Sequence, residues 1–219
     1  MNLDFSQIVP YTPFMLKGIW ATLEFVIFSI IIGLVLGTLL ALCKITKVSF
    51  LKWIANAYTS IFRGTPLILQ LMIIYYAIPQ LTGYDIPIFL SAVLTFGLNS
   101  AAYVSEIIRA GIMAVDKGQM EAAEALGVPY RPMMLNIILP QAIKNILPAL
   151  LNEFITLTKE SAIVSTIGYL DLMRRAQIVG ADIYRNFEPL LLAGAIYWIM
   201  VFILTKIGQA IERRLRQGD

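Results

Sequence analysis

A carboxylate at position 153 lies inside a long apolar run, between Gln141 and Ser165. A charge inside a membrane-spanning helix costs roughly 2.5–3.5 kcal/mol on insertion scales, so it should face a cavity or a partner. Asn152 adjoins Glu153, and Thr156 shares its helical face three residues on. Such a group can read a positive charge on a ligand, or form a structural pair with a Lys or Arg of a neighbouring helix. A second cluster suits the opposite charge. In Arg63-Gly64-Thr65-Pro66-Leu67, Thr65 has N-cap chemistry and Pro66 suits the first position of a helix. A helix start at membrane depth offers free N–H groups and a positive dipole end to an anion. The competing reading is that Gly64 and Pro66 only re-aim the chain. Arg63 either adds charge there or anchors the interface. Gln70 and Asn99 offer neutral hydrogen bonds from other spans, and Glu106 has Arg109 as an i,i+3 partner.

These groups recognise charge; they are not arranged for covalent chemistry. The 219 residues contain no histidine and one cysteine, Cys43, so the commonest metal ligand and general base is absent and no internal disulfide can form. There is no Gly-x-x-x-x-Gly-Lys phosphate loop and no convincing nucleophile–base pair. With 58% hydrophobic and 14% charged residues, against about 25% charged in soluble domains, the chain reads as an all-α polytopic membrane protein. Its net charge of +3 reflects membrane topology rather than nucleic-acid binding. Met1 to Lys17 lacks the pattern of a cleavable signal. A cation channel lined by Glu106 and Glu153 is an alternative, but no carbonyl-filter signature is present.

Five spans must position these side chains, at about 18–42, 53–80, 87–115, 141–165 and 189–207 of a single domain covering residues 1–219. Gly33 and Gly37 in the first are spaced either for close helix packing or for simple flexibility. Phe50, Ile54, Ala57, Tyr58 and Ile61 recur at helical spacing, with Lys52, Asn56, Ser60 and Arg63 between them, so the second span opens as an amphipathic helix. It breaks near 63–66, and a new helix starts at Pro66 and runs to about Gln80. Asn99, Tyr103 and Glu106 share one face of the third span. Pro140 and Pro148 are expected kinks of the fourth. Residues 169–188 read as an external loop of mixed charge with some helix, either an ordinary solvated loop or one whose Asp171, Arg174, Arg175, Asp182 and Arg185 make salt-sensitive contacts with a separate protein outside.

Between the third and fourth spans lies a polar segment, 116–136. Gln119 to Leu126 is made of good helix formers, Gly127 can stop that helix and Pro129 cannot continue it. Ala122, Ala123 and Ala125 give a low-profile surface, and Glu121 and Glu124 add charge at i and i+3. Placing this segment inside puts about twelve of the 17 basic residues on the inner side, among them Lys44, Lys47, Lys52, Lys206, Arg213, Arg214 and Arg216. The C-terminus is then cytoplasmic and the N-terminus outside.

Glu121, Ala122, Ala123, Gly127, Ile137, Leu139 and Pro140 match the spacing of the EAA loop of ATP-driven importer permeases. With Phe62-Arg63-Gly64-Thr65-Pro66-Leu67 and Gln70, Leu98 to Tyr103 with Glu106, Arg109 and Gly111, and Asn152-Glu153 through Ser161, nearly the whole chain resembles the permease subunits of polar amino-acid ABC importers of the histidine, glutamine and arginine type. Glu160-Ser161-Ala162 departs conservatively from the family's more frequent Asp-Thr-Ser. The resemblance implies a type I importer permease of five helices with a cytoplasmic EAA coupling helix, in a bacterial inner membrane. It implies a second permease subunit, identical or a paralogue, together with two ABC ATPase subunits and an extracellular or periplasmic amino-acid-binding protein. ATP and Mg then belong to the partner ATPase and no cofactor to this chain. Glu121, Ala122, Ala123, Glu124 and Gly127 would grip the ATPase. Thr65 and Leu67 would take the substrate carboxylate, with Arg63 in support. Glu153, with Asn152 and Thr156, would take its positive charge, and Gln70 and Asn99 would add neutral bonds. A lone membrane carboxylate favours arginine, lysine or histidine over a neutral substrate such as glutamine.

Overall fold

A computed structural model describes residues 3–216. Every regular element among them is helical. A 3-10 turn, Phe5–Tyr11, leads into α1, Thr12–Ile45. At 34 residues α1 is about 50 Å long, well beyond a hydrocarbon core of about 30 Å. Next come α2, Ser49–Gly64, and a composite arm of α3, Leu67–Met72, a π-helical turn, Ile73–Ala77, and α4, Ile78–Thr82. The long α5 spans Ile88–Met113, and α6, Lys117–Ala125, follows it. A second composite helix joins α7, Tyr130–Met133, a π turn, Met134–Ile138, and α8, Leu139–Glu160. A 3-10 stretch, Ser161–Ile167, then α9, Leu172–Asp182, and α10, Phe187–Arg216, complete the chain. Four helical stretches are long and apolar enough to cross a membrane, and five if the pair Ser49–Gly64 and Leu67–Thr82, bent by 103°, counts as one span.

The α1–α5 pair is the backbone of the bundle, and glycine makes it possible. A Cβ on Gly33 would stand 2.8 Å from Ser100 Oγ, and one on Gly37 2.7 Å from Val104 Cβ. The Gly-x-x-x-Gly spacing is therefore a packing device, because lipid offers helices no hydrophobic drive and close backbone approach must supply the attraction. Above this contact, Phe25 meets Phe96 edge to face at 5.3 Å between centroids, and Leu71, Leu157 and Val164 close the core around them.

Both π turns end two residues before a proline, Pro79 and Pro140. A proline inside a helix lacks its N–H and clashes with the carbonyl four residues back, and one wider turn relieves both conflicts. Pro140 thus acts through the preceding π turn, while Pro148 lies inside α8.

Residues 169–188 are not a free loop. α9 buries Leu172, Ala176 and Val179 against Ile8, Met15 and Ala193. Asp171, fully buried, caps α9 by accepting from Arg174 N–H at 2.8 Å and takes a second bond from Tyr197 Oη at 3.1 Å. Arg175 donates to the Leu170 and Phe14 carbonyls and lies over the Phe14 ring, and Arg185 pairs with buried Glu188. The polar residues of this stretch mostly serve internal packing, because the segment folds back between α1 and α10.

Candidate functional site

The break in the second span is built differently from the sequence expectation. Pro66, not Thr65, is the N-cap residue of α3, which starts at Leu67. Thr65 ends α2 instead, its hydroxyl donating to the Ile61 carbonyl at 2.8 Å and accepting from Gln70 Nε2 at 2.9 Å. Gln70 also donates to the Phe62 carbonyl at 2.9 Å, and Asn99 Nδ2 donates to Gln70 Oε1 at 3.0 Å and to Phe62 O at 3.1 Å. Where two helices meet at a sharp bend, carbonyls at the end of the first lose their partners. Buried Gln70 and Asn99 replace those partners, so the amide N–H groups of both latch the bend from within the chain. Arg63 is exposed and lies over the Tyr103 ring, 5.3 Å from its centroid. The first N–H groups bonded within α3 are those of Leu69 and Gln70, to the Pro66 carbonyl, which leaves the Leu67 and Ile68 N–H groups at the helix start without an intrahelical acceptor.

Across α5 from this latch, Ser100 Oγ donates to Glu153 Oε1 at 3.0 Å. Glu153 is partly buried, and no Lys or Arg pairs with it among the described residues. Thr156 is on the same helical face, also partly buried. Asn152 is not part of this group. It turns to the α10-facing side of α8 and lines a cleft with Leu151, Thr205 and Gly208, one residue being about 100° of helix rotation. Ser100, whose hydroxyl aims the carboxylate, carries no local sign in the sequence of a contact 53 residues away.

Glu106 is held twice, by Lys44 Nζ at 2.5 Å and by Arg109 Nη2 at 2.8 Å. Lys44 is one of the basic residues that the charge distribution places on the inner side. It closes the last turn of α1 and is buried, bonding Ser105 Oγ at 2.9 Å as well. Glu106 is therefore a structural charge.

In the 116–136 segment Asp116 caps α6, accepting from Gly118 N–H at 2.7 Å. Asp before Lys117-Gly118 is an N-cap signal legible in the sequence. At the other end Val128 N–H reaches the Ala123 carbonyl at 3.0 Å and Gly127 N–H the Glu124 carbonyl at 2.9 Å. Gly127 has φ +70°, so the helix stops in a Schellman motif. Glu121, Ala122, Glu124 and Gly127 are exposed. Ala123 is not: it packs inward on Met133 and Ile138, so the low-profile outer face is made by Ala122 and Ala125 alone. Leu126, 82% exposed, stands beside it.

Known proteins agree with this architecture. Residues 12–217 match the family model described as binding-protein-dependent transport system inner membrane component. The arginine transport system permease protein ArtQ of Bacillus subtilis is 60% identical over 219 residues, covering 100% of both chains. The putative glutamine transport system permease protein GlnP of Rickettsia bellii is 51% identical over 214 residues, covering 96% of this chain and 98% of its own. A crystal structure of an amino acid ABC transporter with histidines superposes with a TM-score of 0.95 at 47% identity, covering 98% of this chain and 100% of the other. The relatives are transport subunits rather than enzymes, and the family works with ATPase and binding-protein partners. The chain belongs to the binding-protein-dependent transport system inner membrane component family, as a membrane-embedded permease subunit of an amino-acid ABC importer with the type I fold.

Proposed function

We propose that this permease carries cationic amino acids, with arginine the first choice. The observation that carries the proposal is Glu153, a partly buried carboxylate oriented by Ser100 and lacking a cationic partner among the described residues. In a low-dielectric site an unpaired carboxylate is costly, and a ligand that neutralises it gains affinity. The substrate ammonium or guanidinium meets Glu153 and Thr156, while the open N–H groups at Leu67 and Ile68 take its carboxylate, with Arg63 nearby. Similarity to the arginine permease ArtQ supports the same reading. A neutral polar substrate is the second reading, supported by similarity to GlnP.

Two copies of this chain form the path. Of the four continuous spans the one from Tyr130 to Ile167 is least covered within a single chain, 11% of its apolar window being buried, as suits a helix that a second subunit covers. Glu121, Ala122, Glu124 and Gly127 present α6 to the ATPase, which carries ATP and Mg. The α6 side is then cytoplasmic with the C-terminus, and the N-terminus is outside in an inner membrane. The binding protein delivers substrate to the outer side, where Tyr75, Tyr76, Gln80 and Asp85 line an open cavity of about 720 Å³.

Uptake by the complex reconstituted in vesicles tests the substrate assignment. Glu153→Gln keeps the shape and removes the charge. Arginine transport should weaken by roughly 2–5 kcal/mol while glutamine transport is spared. An equal fall for both makes Glu153 structural, and no fall for either removes it from the path.

A further inference from the structure

The substrate proposal leaves one charged cavity unused. It lies where the C-terminal turn of α1, the start of α2 and the last turns of α5 meet, on the same side of the bundle as α6, which follows α5 directly. Its volume is about 470 Å³, and Lys44, Lys52, Asn56, Glu106 and Arg109 supply its polar lining. Three cations face one carboxylate, a net charge of +2. Glu106 answers Lys44 with one oxygen and Arg109 with the other. Lys52 has no acidic partner among the described residues, and the Arg109 side chain remains 39% exposed. The cavity is therefore short of negative charge.

The same helix that brings Lys52 and Asn56 to the cavity exposes Phe50, Leu51, Trp53 and Ile54, Trp53 at 67%. A free anion would use the charge and ignore that apolar surface. A phospholipid uses both, because its phosphate can enter a basic pocket between membrane helices while its acyl chains lie along exposed aliphatic and aromatic side chains. We propose that this cavity holds the phosphate of an anionic phospholipid from the leaflet on the α6 side, with Lys52 and Arg109 as its charged contacts and Asn56 as a neutral donor. A lipid bound there would bridge α2, which leads into the latched break, and α5, which carries Asn99 and Ser100.

The test uses the complex of the full chain with its ATPase, stripped of lipid in detergent and titrated with phosphatidylglycerol or phosphatidylcholine of matched acyl chains. Native mass spectrometry reads the lipid retained. Phosphatidylglycerol should be kept in preference to phosphatidylcholine. Lys52→Ala should weaken its retention about fivefold, the equivalent of about 1 kcal/mol per basic residue near the membrane surface. Lys52→Arg should preserve it, and so should Lys17→Ala, which changes the other end of α1. Equal retention of the two lipids overturns the proposal, as does retention unchanged in Lys52→Ala. An equal loss in Lys17→Ala also overturns it, by making the effect one of diffuse charge. Displacement by millimolar inorganic phosphate overturns it too, by making the site one for free anions.

Discussion

Single side chains in this permease are assigned by what they face, and Asp171 shows how far that departs from their position in the sequence. Read as a surface charge of an external loop, it is fully buried as the cap of α9. Burial pushes its carboxyl up to about 6, against the hydrogen bonds from Arg174 N–H and Tyr197 Oη that favour the charged form. A carboxyl raised by folding binds its proton more tightly in the folded state. Between its ordinary value of 3.8 and about 6, stability therefore falls as pH rises, and above about 6 the cost is fully present. The melting temperature of the purified complex should fall from pH 5 to pH 7, and Asp171→Asn, which keeps an acceptor for the cap, should flatten that slope. An unchanged slope in the variant would assign the pH dependence to other groups. Glu106 and Glu153 make the same point as a pair. Both are carboxylates in spans, yet one is shared by Lys44 and Arg109 while the other has only the Ser100 hydroxyl.

At the scale of the element, the α6 helix is defined at both ends by side-chain and backbone chemistry, Asp116 at the start and the Gly127 turn at the finish. Space is not the constraint at Gly127, since nothing lies within 4 Å of a Cβ placed there. The constraint is φ, +70°, which costs an L residue roughly 1–2 kcal/mol and a β-branched one more. Gly127→Val should therefore unmake the Schellman turn while the chain still inserts in the membrane. Uptake and stimulated ATP hydrolysis by the complex should then be lost together. Normal coupled transport in this variant would show that the ATPase does not depend on the end of α6. The 63–70 break is likewise an element-scale device, because Gln70 and Asn99 hydrogen-bond to the end of α2 across a 103° bend.

At the scale of the whole molecule the chain is an incomplete pump. It carries an exposed α6, a sharply bent α2–α3 pair and a weakly covered α7–α8 stretch, and its sequence holds no phosphate-binding loop. Co-expression of this one permease with one ATPase should give a complex with two copies of each, active in reconstituted vesicles with the binding protein. Mass photometry of the purified complex checks the stoichiometry. A complex that assembles or transports only when a second, different permease is supplied would mean a heterodimer.

Composition and spacing determined the helical membrane architecture, the break near Pro66, the stop at Gly127 and the exposed helix around Glu121 and Glu124. These are local properties, since a run of about 20 apolar residues, a proline and a left-handed glycine act within a turn or a span of their own position. The Gly33–Gly37 spacing was visible too, but only the Ser100 and Val104 contacts decide that it packs rather than flexes. Asn152 and Glu153 are adjacent in sequence and separated in space, because one residue of helix turns a side chain by about 100°. Lys44 and Glu106 are 62 residues apart and joined. Thr65, Gln70 and Asn99 form one latch because the α2–α3 bend, packed on α5, brings their polar atoms within hydrogen-bonding reach. Long-range pairing of this kind has no sequence period to announce it. It depends on which helix faces meet, and that is settled by the packing of the whole bundle.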